Sequence, residues 1–384
     1  MLQSLFLFFT IAGVPIAIAM SGASLIYVII SGNLPPFVVV HRMISGVDSF
    51  PLLAVPFFIL AGNLMNNAGI TNRIFEMATS LVGWLRGGLG HVNVVASIIF
   101  SGMSGTAIAD AAGLGTVEIK AMKDQGYPVE FAVGVTAASA TLGPIIPPSL
   151  PIVIYAMLAN VSVGGMFLAG IVPGLLIATL IMLTVSYFAW KNQWGGDISF
   201  NKRLFSKGLL EITIVVGWPV VTWLLIEMGA PPRTTIFLGL VTLFLADWWF
   251  RFTAVMPMMT PVLLIGGMTV GLFTPTEGAI AACMWALVLG LFWYKTLSLR
   301  QFVRISIETV ETTAIVMFIV AASSIFSWML TAEGITADIA SWILGVTDKQ
   351  WVFFLLANAL MLLIGCFLEP VAAITILVPI LLPV

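Results

Sequence analysis

Long apolar runs separated by short polar connectors make up most of the chain. The runs lie at 4–31, 51–66, 75–86, 91–114, 129–158, 164–190, 209–228, 234–250, 255–273, 278–294, 312–330 and 351–383. Because about 20 apolar residues in a helix cross a bilayer, this pattern predicts several membrane-spanning helices. Residues 166–190 lack the alternation of barrel strands, so we expect an all-α polytopic membrane protein.

The composition agrees with a membrane protein. Of 384 residues, 60% are hydrophobic and 8% are charged, whereas soluble domains carry about 25% charged residues. The 15 basic and 17 acidic residues give a net charge of −2, which excludes a basic field for nucleic acid. Cys283 and Cys366 lie in apolar runs without metal-ligand spacing, so we expect packed core residues and no cofactor.

Basic residues cluster in two connectors. They are Lys191, Lys202, Arg203 and Lys207 in the first connector, and Lys295, Arg300 and Arg304 in the second. The positive-inside rule places both connectors on the cytoplasmic side of the membrane. Residues 295–307 mix these bases with apolar positions, which predicts an amphipathic surface helix joining two halves of the chain. A plain charged loop is the alternative.

An internal repeat connects two parts of the chain at an offset of 265 residues. The segment Asn67–Thr71 (NAGIT) is echoed by Ala332–Thr336 (AEGIT). Adding the same offset to the glycine-rich Ser101–Thr106 gives a position that starts at Cys366. The segment Cys366–Pro370 also interrupts an apolar run. Interrupted segments at corresponding positions of two halves are typical of transporters built from structural repeats.

The first interruption lies inside residues 96–116. Glycine and serine at 101–106 would leave backbone carbonyl and amide groups without helical hydrogen bonds. Within the bilayer, such groups occur only where they are buried in protein or line a water-filled cavity. The two arms have roughly ten residues each, too few to span a bilayer separately. We therefore predict a re-entrant helical hairpin with its tip at 101–106. A single helix that uses small residues for tight packing is the alternative.

The second interruption is the sequence TLGPIIPPS, Thr141–Ser149. Each proline removes a backbone donor and clashes with the preceding turn, so we expect a broken helix at Gly143–Pro148. Its carbonyls, together with the hydroxyls of Thr136, Ser139 and Thr141, are hard oxygen ligands suited to a small cation such as Na⁺. A proline kink with a mechanical role is the alternative.

Two carboxylates fall within apolar segments. Glu369 precedes Pro370 in the third interruption, which we interpret as the tip of a second hairpin. Asp110 follows the first hairpin tip. Embedded carboxylates are costly unless they are paired or face water, so each is a candidate for polar lining, coordination or structural pairing. By contrast, Glu277 in Gly271–Gly278 (GLFTPTEG) is expected near a helix N-terminus.

Several blocks of the sequence resemble one family. They are Ser49–Thr71, Gly90–Gly115, Thr136–Pro151, Phe167–Gly174, Gly271–Ala279 and Phe367–Pro383. Together they span most of the chain, and the GPIIPPS motif at Gly143–Ser149 is the most specific. On these residues the chain resembles the large membrane subunit (M, DctM-type) of tripartite ATP-independent periplasmic (TRAP) transporters.

The resemblance implies an ion-transporter-type fold with inverted repeats, two re-entrant hairpins and broken helices, in which a transport domain moves against a scaffold as an elevator. It implies Na⁺-coupled uptake of a small organic acid anion across the bacterial inner membrane. C4-dicarboxylates, sialic or other sugar acids and sulfonates all remain open. The partners it implies are a periplasmic substrate-binding protein (P, DctP-type) and a small membrane subunit (Q, DctQ-type).

Carried onto this chain, the resemblance implies two sets of site residues. Substrate binding is expected at Ser104, Thr106, Thr136, Ser139 and Thr141. Cation binding is expected at Ser101, Gly102, Ser104, Gly105, Gly143, Pro144 and Pro147 for the first Na⁺, and at Gly365, Phe367 and Glu369 for the second.

The predicted organisation has five regions. They are N-terminal scaffold helices (1–50), a first transport region (51–190) with hairpin 91–116 and broken helix 129–158, a connector with two extra scaffold helices (191–250), second-repeat scaffold helices with the amphipathic connector (251–311), and a second transport region (312–384). The repeat offset predicts a second broken helix near position 408, so we expect a further C-terminal segment.

The extra runs at 209–228 and 234–250 depart from the usual family pattern. We expect them to enlarge the scaffold and to form a homodimer contact through aromatic residues, with a lipid-facing aromatic belt as the alternative. Those residues are Trp218, Trp223, Trp248, Trp249 and Phe250.

Two other functions compete with this interpretation. A stand-alone Na⁺/carboxylate transporter of the same fold would differ only in its partners. An intramembrane hydrolase would pair Asp110 with a second acid such as Asp247. Asp247 lies in an interfacial-looking ADWWFR segment (Ala246–Arg251), which argues against the hydrolase, so we expect no enzyme activity.

Overall fold

The computed structural model describes residues 1–196, 199–269, 272–335, 349–365 and 370–382. Within these ranges the regular structure is helical, in agreement with the predicted all-α class. The helices are α1 (Leu2–Ile11), α2 (Ile16–Ser31), α3 (Phe37–Val47), a 3₁₀ turn (Phe50–Leu53), α4 (Ala54–Asn67), α5 (Ile70–Val82), α6 (Gly88–Ser104), α7 (Ala107–Asp124), α8 (Val129–Ala140), α9 (Leu150–Leu158), α10 (Val163–Lys191), α11 (Lys202–Glu227), α12 (Pro232–Phe250), α13 (Val255–Thr269), α14 (Pro275–Leu287) with a π-helical continuation (Val288–Trp293), α15 (Leu299–Ala332), α16 (Gln350–Gly365) and α17 (Pro370–Leu381).

Among the described residues, four helices are long and apolar enough to cross a membrane. They are Val163–Lys191, Lys202–Glu227, Pro275–Trp293 and Leu299–Ala332. Most of the other helices are apolar but shorter than a simple span, and several of the predicted apolar runs contain two of them. The number of runs therefore overstates the number of single crossings.

The chain forms two compact units. One contains residues 1–53, 153–162 and 310–384, and the other contains 54–152 and 163–309. The second unit includes helices α4–α8 and α10–α14 and carries a buried core in which Leu64, Phe100 and Met256 are fully buried. The assignment of scaffold and transport roles to regions of the chain stays a prediction.

Helix starts follow local capping chemistry. Thr274 accepts the amide of Glu277, and the Glu277 carboxylate accepts the amide of Thr274 at 2.8 Å, which forms a capping box at the start of α14. The predicted position of Glu277 near a helix N-terminus is thus confirmed. At α11 the side chain of Asn201 accepts the amides of Arg203 and Leu204.

The predicted amphipathic segment 295–307 is not a separate surface helix. Residues from Leu299 onward belong to α15, which runs unbroken for 34 residues to Ala332. Its first turns are two-sided, with Ile305 buried and Arg304 exposed beside Glu308. No helix-breaking residue separates this amphipathic stretch from the apolar stretch after it, so the helix continues.

The extra helices are anchored in the second unit. Glu211 of α11 is buried and accepts the backbone amides of Thr253 and Ala254, just before α13, at 2.7 and 3.0 Å. Lys207 donates to the carbonyl of Arg251 at 3.0 Å. Among the predicted dimer-contact residues, Trp218 lies against Gly239 of α12, whereas Trp248 and Trp249 are exposed.

Cys283 is buried as predicted, and its thiol donates to the carbonyl of Phe57. Cys366 lies outside the described residues.

Candidate functional site

Helices α6 and α7 fold back on each other at a two-residue junction. Gly105 ends α6 in the left-handed conformation, with φ +63°, and Thr106 caps α7 by accepting the amide of Ala109 at 3.2 Å. Ser97 of α6 and Asp110 of α7 are 13 residues apart, yet the two helices that carry them pack against each other. In one straight helix that separation would be about 20 Å, so the two helices form a hairpin.

The hairpin tip is narrower than the sequence predicts. Ser101 and Gly102 belong to α6, which continues to Ser104. The hydroxyl of Ser101 donates to the carbonyl of Ser97 one turn earlier, a bond that a helical serine readily makes. Isolated glycine and serine residues are tolerated in a buried helix, because they do not remove a backbone donor as proline does.

A break of nine residues separates α8 from α9. Helix α8 ends at Ala140 and α9 starts at Leu150. The break contains Gly143 and three prolines, and turn hydrogen bonds replace the helical ladder there, with the amide of Ile146 donating to Leu142 at 2.8 Å. The hydroxyl of Ser149 donates to the carbonyl of Pro144. Prolines without an N–H group explain why the helix stops and restarts here.

The hairpin tip and the break meet through their backbones. The amide of Leu150 donates to the carbonyl of Gly105 at 3.3 Å. A Cβ atom added at Gly105 would lie 2.5 Å from the carbonyl oxygen of Pro148, and one added at Gly143 would lie 2.8 Å from that of Thr106. A Cβ at Gly102 would lie 3.7 Å from the carbonyl oxygen of Pro147. Glycine is therefore required for main-chain oxygens of one segment to approach the other segment.

The five predicted substrate residues fall into two environments. Ser104 is buried at the end of α6, and its hydroxyl has no hydrogen-bond partner among the described residues. Thr106 is partly exposed at the tip, and Thr141 is exposed in the break, where it donates to Ala138. Thr136 and Ser139 are instead buried within α8. The structure brings Ser104 and Thr106 together at the tip and places Thr136 and Ser139 in a separate buried network.

Asn93 organises that network, and sequence reasoning did not single it out. Its side-chain amide donates to the Thr136 hydroxyl at 2.7 Å, and its side-chain oxygen accepts the Ser139 hydroxyl at 2.6 Å. All three residues are buried. The sequence signal was one amide within the apolar run 91–114, where an unsatisfied polar group is costly.

Two carboxylates lie deep in α7. Asp110 and Glu118 are each 1% exposed and lie eight residues apart on the same helix. Sequence reasoning singled out Asp110 but not Glu118. Asp247 lies elsewhere and accepts the indole N–H of Trp293 at 2.8 Å. Oδ2 of Asp110 and Oδ1 of Asp247 have no hydrogen-bond partner among the described residues, so these two acids do not form the hydrogen-bonded pair that the hydrolase alternative requires.

The second predicted cation site lies mostly outside the described residues. Phe367 and Glu369 are not described, whereas Gly365 ends α16 and Pro370 starts α17. Subtracting the repeat offset of 265 from these ends places this junction within a few residues of the α6–α7 junction. Gly69 and Gly334, which are also 265 residues apart, both follow the end of a helix and share the left-handed conformation, with φ +69° and +72°.

Comparison with known proteins identifies relatives over most of this length. Residues 4–384 match the model of the DctM component of tripartite ATP-independent periplasmic transporters. The chain is 41% identical over 373 residues to the sialic acid TRAP transporter large permease protein SiaM of Vibrio cholerae, covering 97% of this chain and 78% of that protein.

Two further relatives are longer proteins. The chain is 36% identical over 372 residues to the sialic acid TRAP transporter permease protein SiaT of Haemophilus influenzae, covering 97% of this chain and 54% of the relative. It is 33% identical over 380 residues to the isethionate TRAP transporter permease protein DctMQ of Oleidesulfovibrio alaskensis, covering 99% and 53%. The chain thus spans about half the length of these two relatives.

These relatives are transporter permeases and not enzymes. Together with the four long apolar helices, the match identifies a multi-pass membrane protein. The chain belongs to the family of DctM components of tripartite ATP-independent periplasmic transporters.

Proposed function

We propose that this chain is the permease for Na⁺-coupled uptake of a small organic acid anion across the bacterial inner membrane. The observation that carries the proposal is the backbone contact between the hairpin tip and the break in the helix. It concentrates carbonyl and hydroxyl oxygens around Gly105, Thr106 and Gly143. Hard oxygen ligands of this kind suit a small cation, and interrupted helices supply them in secondary transporters.

The substrate class is proposed from chemistry that the relatives share. The proteins from Vibrio and Haemophilus are named for sialic acid, and the protein from Oleidesulfovibrio for isethionate. Both compounds are small organic acids that carry one negative charge at neutral pH. In this proposal Ser104 and Thr106 contact the anion, because a serine hydroxyl without a partner and a helix N-terminus both favour negative oxygen ligands.

A periplasmic binding protein delivers the anion in this proposal, and a small membrane subunit completes the permease. The DctMQ name joins two component letters in one relative, in keeping with a large and a small membrane subunit acting together. The second Na⁺ site would include Gly365, and an elevator movement of inverted repeats would carry the substrate. The matched left-handed glycines at Gly69 and Gly334 support the repeat.

Uptake into proteoliposomes tests the coupling. Vesicles with the complete complex and substrate-loaded binding protein should accumulate the anion when Na⁺ is higher outside than inside and the interior is electrically negative. Each Na⁺ that enters then draws ~2.3 kcal/mol per 100 mV of membrane potential, in addition to the energy of its concentration gradient. The control is the same vesicles with equal Na⁺ on both sides and no membrane potential. Equal accumulation under both conditions would overturn Na⁺ coupling. Accumulation of free anion without binding protein would select the stand-alone transporter.

A second copy of the chain is the proposed partner at α12. Three consecutive residues are exposed at the end of that helix, namely Trp248, Trp249 and Phe250. Trp218 is not part of this contact, because it packs within the chain against Gly239. Aromatic residues exposed at a helix end also suit the membrane interface. The size of the purified permease distinguishes a homodimer contact from a lipid-facing aromatic belt.

A further inference from the structure

Three buried side chains form a hydrogen-bond junction between the first arm of the hairpin and α8. Asn93 lies on α6, while Thr136 and Ser139 lie one turn apart on α8. The amide group of Asn93 uses both ends, donating at 2.7 Å and accepting at 2.6 Å. The three residues have exposed fractions of 0%, 4% and 0%, so water does not compete for these bonds.

The third helix of this region packs on the same junction. A Cβ atom added at Gly115 of α7 would lie 2.7 Å from the methyl group of Thr136. Gly115 thus admits the side chain that accepts the bond from Asn93. Helix α8 is fixed from two sides, by a hydrogen bond from the first arm of the hairpin and by close packing from the second arm.

The junction connects to both interrupted segments through continuous helix. Asn93 is eleven residues before Ser104 along α6, about 16 Å of helix, and a helix of that length transmits a displacement rigidly. Ser139 is one residue before the end of α8. A change in the position of Asn93 relative to α8 would therefore change the distance between the tip at Gly105 and the break at Gly143.

We propose that Asn93 is a positioning residue that sets the spacing between the hairpin tip and the broken helix. Thr136 and Ser139 serve the same purpose, and the substrate contacts Ser104 and Thr106 instead. Asn93 itself does not touch the transported species. This inference rests on the proposed transport function, since the spacing it sets is that of the proposed cation and substrate positions.

The test compares half-saturation with maximal rate in reconstituted uptake. Asn93→Leu removes both bonds with little change in volume, and Thr136→Val removes one hydroxyl while keeping the shape. Each should raise the Na⁺ concentration for half-maximal uptake about tenfold, because a buried bond is lost and its partner is left unsatisfied. Thr136→Ser keeps the hydroxyl and should stay within about twofold of the wild type.

A double variant separates positioning from general destabilisation. Asn93→Leu with Thr136→Val should be no worse than Asn93→Leu alone, since both changes remove the same bond. Asn358→Leu is the matched control, because Asn358 is exposed and bonds within its own helix. It should leave half-saturation unchanged. Lower maximal uptake with unchanged half-saturation in Asn93→Leu and Thr136→Val would show a merely structural role and would overturn the proposal.

The same assay distinguishes this failure from failure of the proposed function. Wild-type uptake that does not respond to Na⁺ would end the coupling proposal alone. The positioning role is then measured from the KM for substrate-loaded binding protein. Asn93→Leu and Thr136→Val should raise this KM while Thr136→Ser does not, and an unchanged KM in all three would overturn the role of Asn93.

Discussion

The hairpin region and the extra helices distribute polarity in opposite ways. In α6–α8, Asn93, Thr136 and Ser139 are buried and satisfy one another across helices. In α11 and α12 the outer faces expose aromatic side chains, with Trp248 68% and Trp249 76% exposed. Since lipid is as apolar as a protein core, burial of apolar groups does not mark the interior of a membrane protein. Buried polar groups mark it, and Asn93, Thr136 and Ser139 form such a group between the hairpin and α8, as Glu211 does where α11 joins the second unit.

Among these changes, we expect a substitution at the contact between the hairpin tip and the break to reduce uptake most. Gly105→Val places a branched side chain at φ +63° and within 2.5 Å of the Pro148 carbonyl. Both the strained backbone and the overlap push the tip away from the break, so we expect uptake to fall more than about 100-fold, from ~3 kcal/mol or more of lost favourable geometry. Initial uptake rate, normalised to permease in the membrane, measures the effect.

Gly134→Val is the matched control for this change. Gly134 lies on α8 with nothing within 4 Å of an added Cβ. It should keep most of the wild-type uptake. Comparable loss in both variants would show that valine for glycine, rather than the contact at Gly105, causes the defect.

Glu211 tests the anchored end of the extra helices. Glu211→Ala leaves the amides of Thr253 and Ala254 without their buried acceptor. We expect the free energy of unfolding to fall by about 2 kcal/mol, since a buried group without a partner loses its solvation. Thermal unfolding of the detergent-purified protein measures the shift. Glu308→Ala removes an exposed ion pair with Arg304 and should change stability by less than about 1 kcal/mol. Equal changes in the free energy of unfolding for Glu211→Ala and Glu308→Ala would show that the buried bonds of Glu211 stabilise the protein no more than an exposed ion pair does.

The exposed aromatic residues should give the smallest effect on stability. Trp248→Ala and Trp249→Ala should each change the free energy of unfolding by less than about 0.5 kcal/mol, as expected for surface positions. Size measurement of the purified permease shows whether they carry a contact. A homodimer that becomes a monomer in these variants supports pairing through α12. A monomeric wild type, or a dimer unaffected by both changes, contradicts it and favours a lipid-facing role.

The interruptions were predictable because their causes are local. Prolines at Pro144, Pro147 and Pro148 end a helix wherever they occur in series, and the structure breaks between α8 and α9 at these residues. The hairpin could also be expected from glycine and serine. The extent of its tip could not, because Ser101 and Gly102 are compatible with a helix and tertiary packing keeps them in α6.

The buried network was beyond prediction because its partners are distant in sequence. Asn93 is 43 residues from Thr136 and 46 from Ser139. No periodicity connects them, and the hydroxyls alone resembled ligands.

The extent of the helix that starts in residues 295–307 was also beyond prediction. Their amphipathic pattern describes the first turns of α15 correctly, yet a pattern has no means of showing that the helix continues to Ala332.

The oxygens at the meeting of tip and break belong to the main chain. Carbonyls of Thr106, Pro147 and Pro148 exist whatever side chain occupies those positions, so no residue type encodes them. The sequence specifies this framework through prolines that interrupt the helix and through glycines at 105 and 143 that let the carbonyls approach. Selection on this feature therefore acts on residues without functional groups of their own. A change of a nearby side chain therefore leaves the carbonyl framework in place.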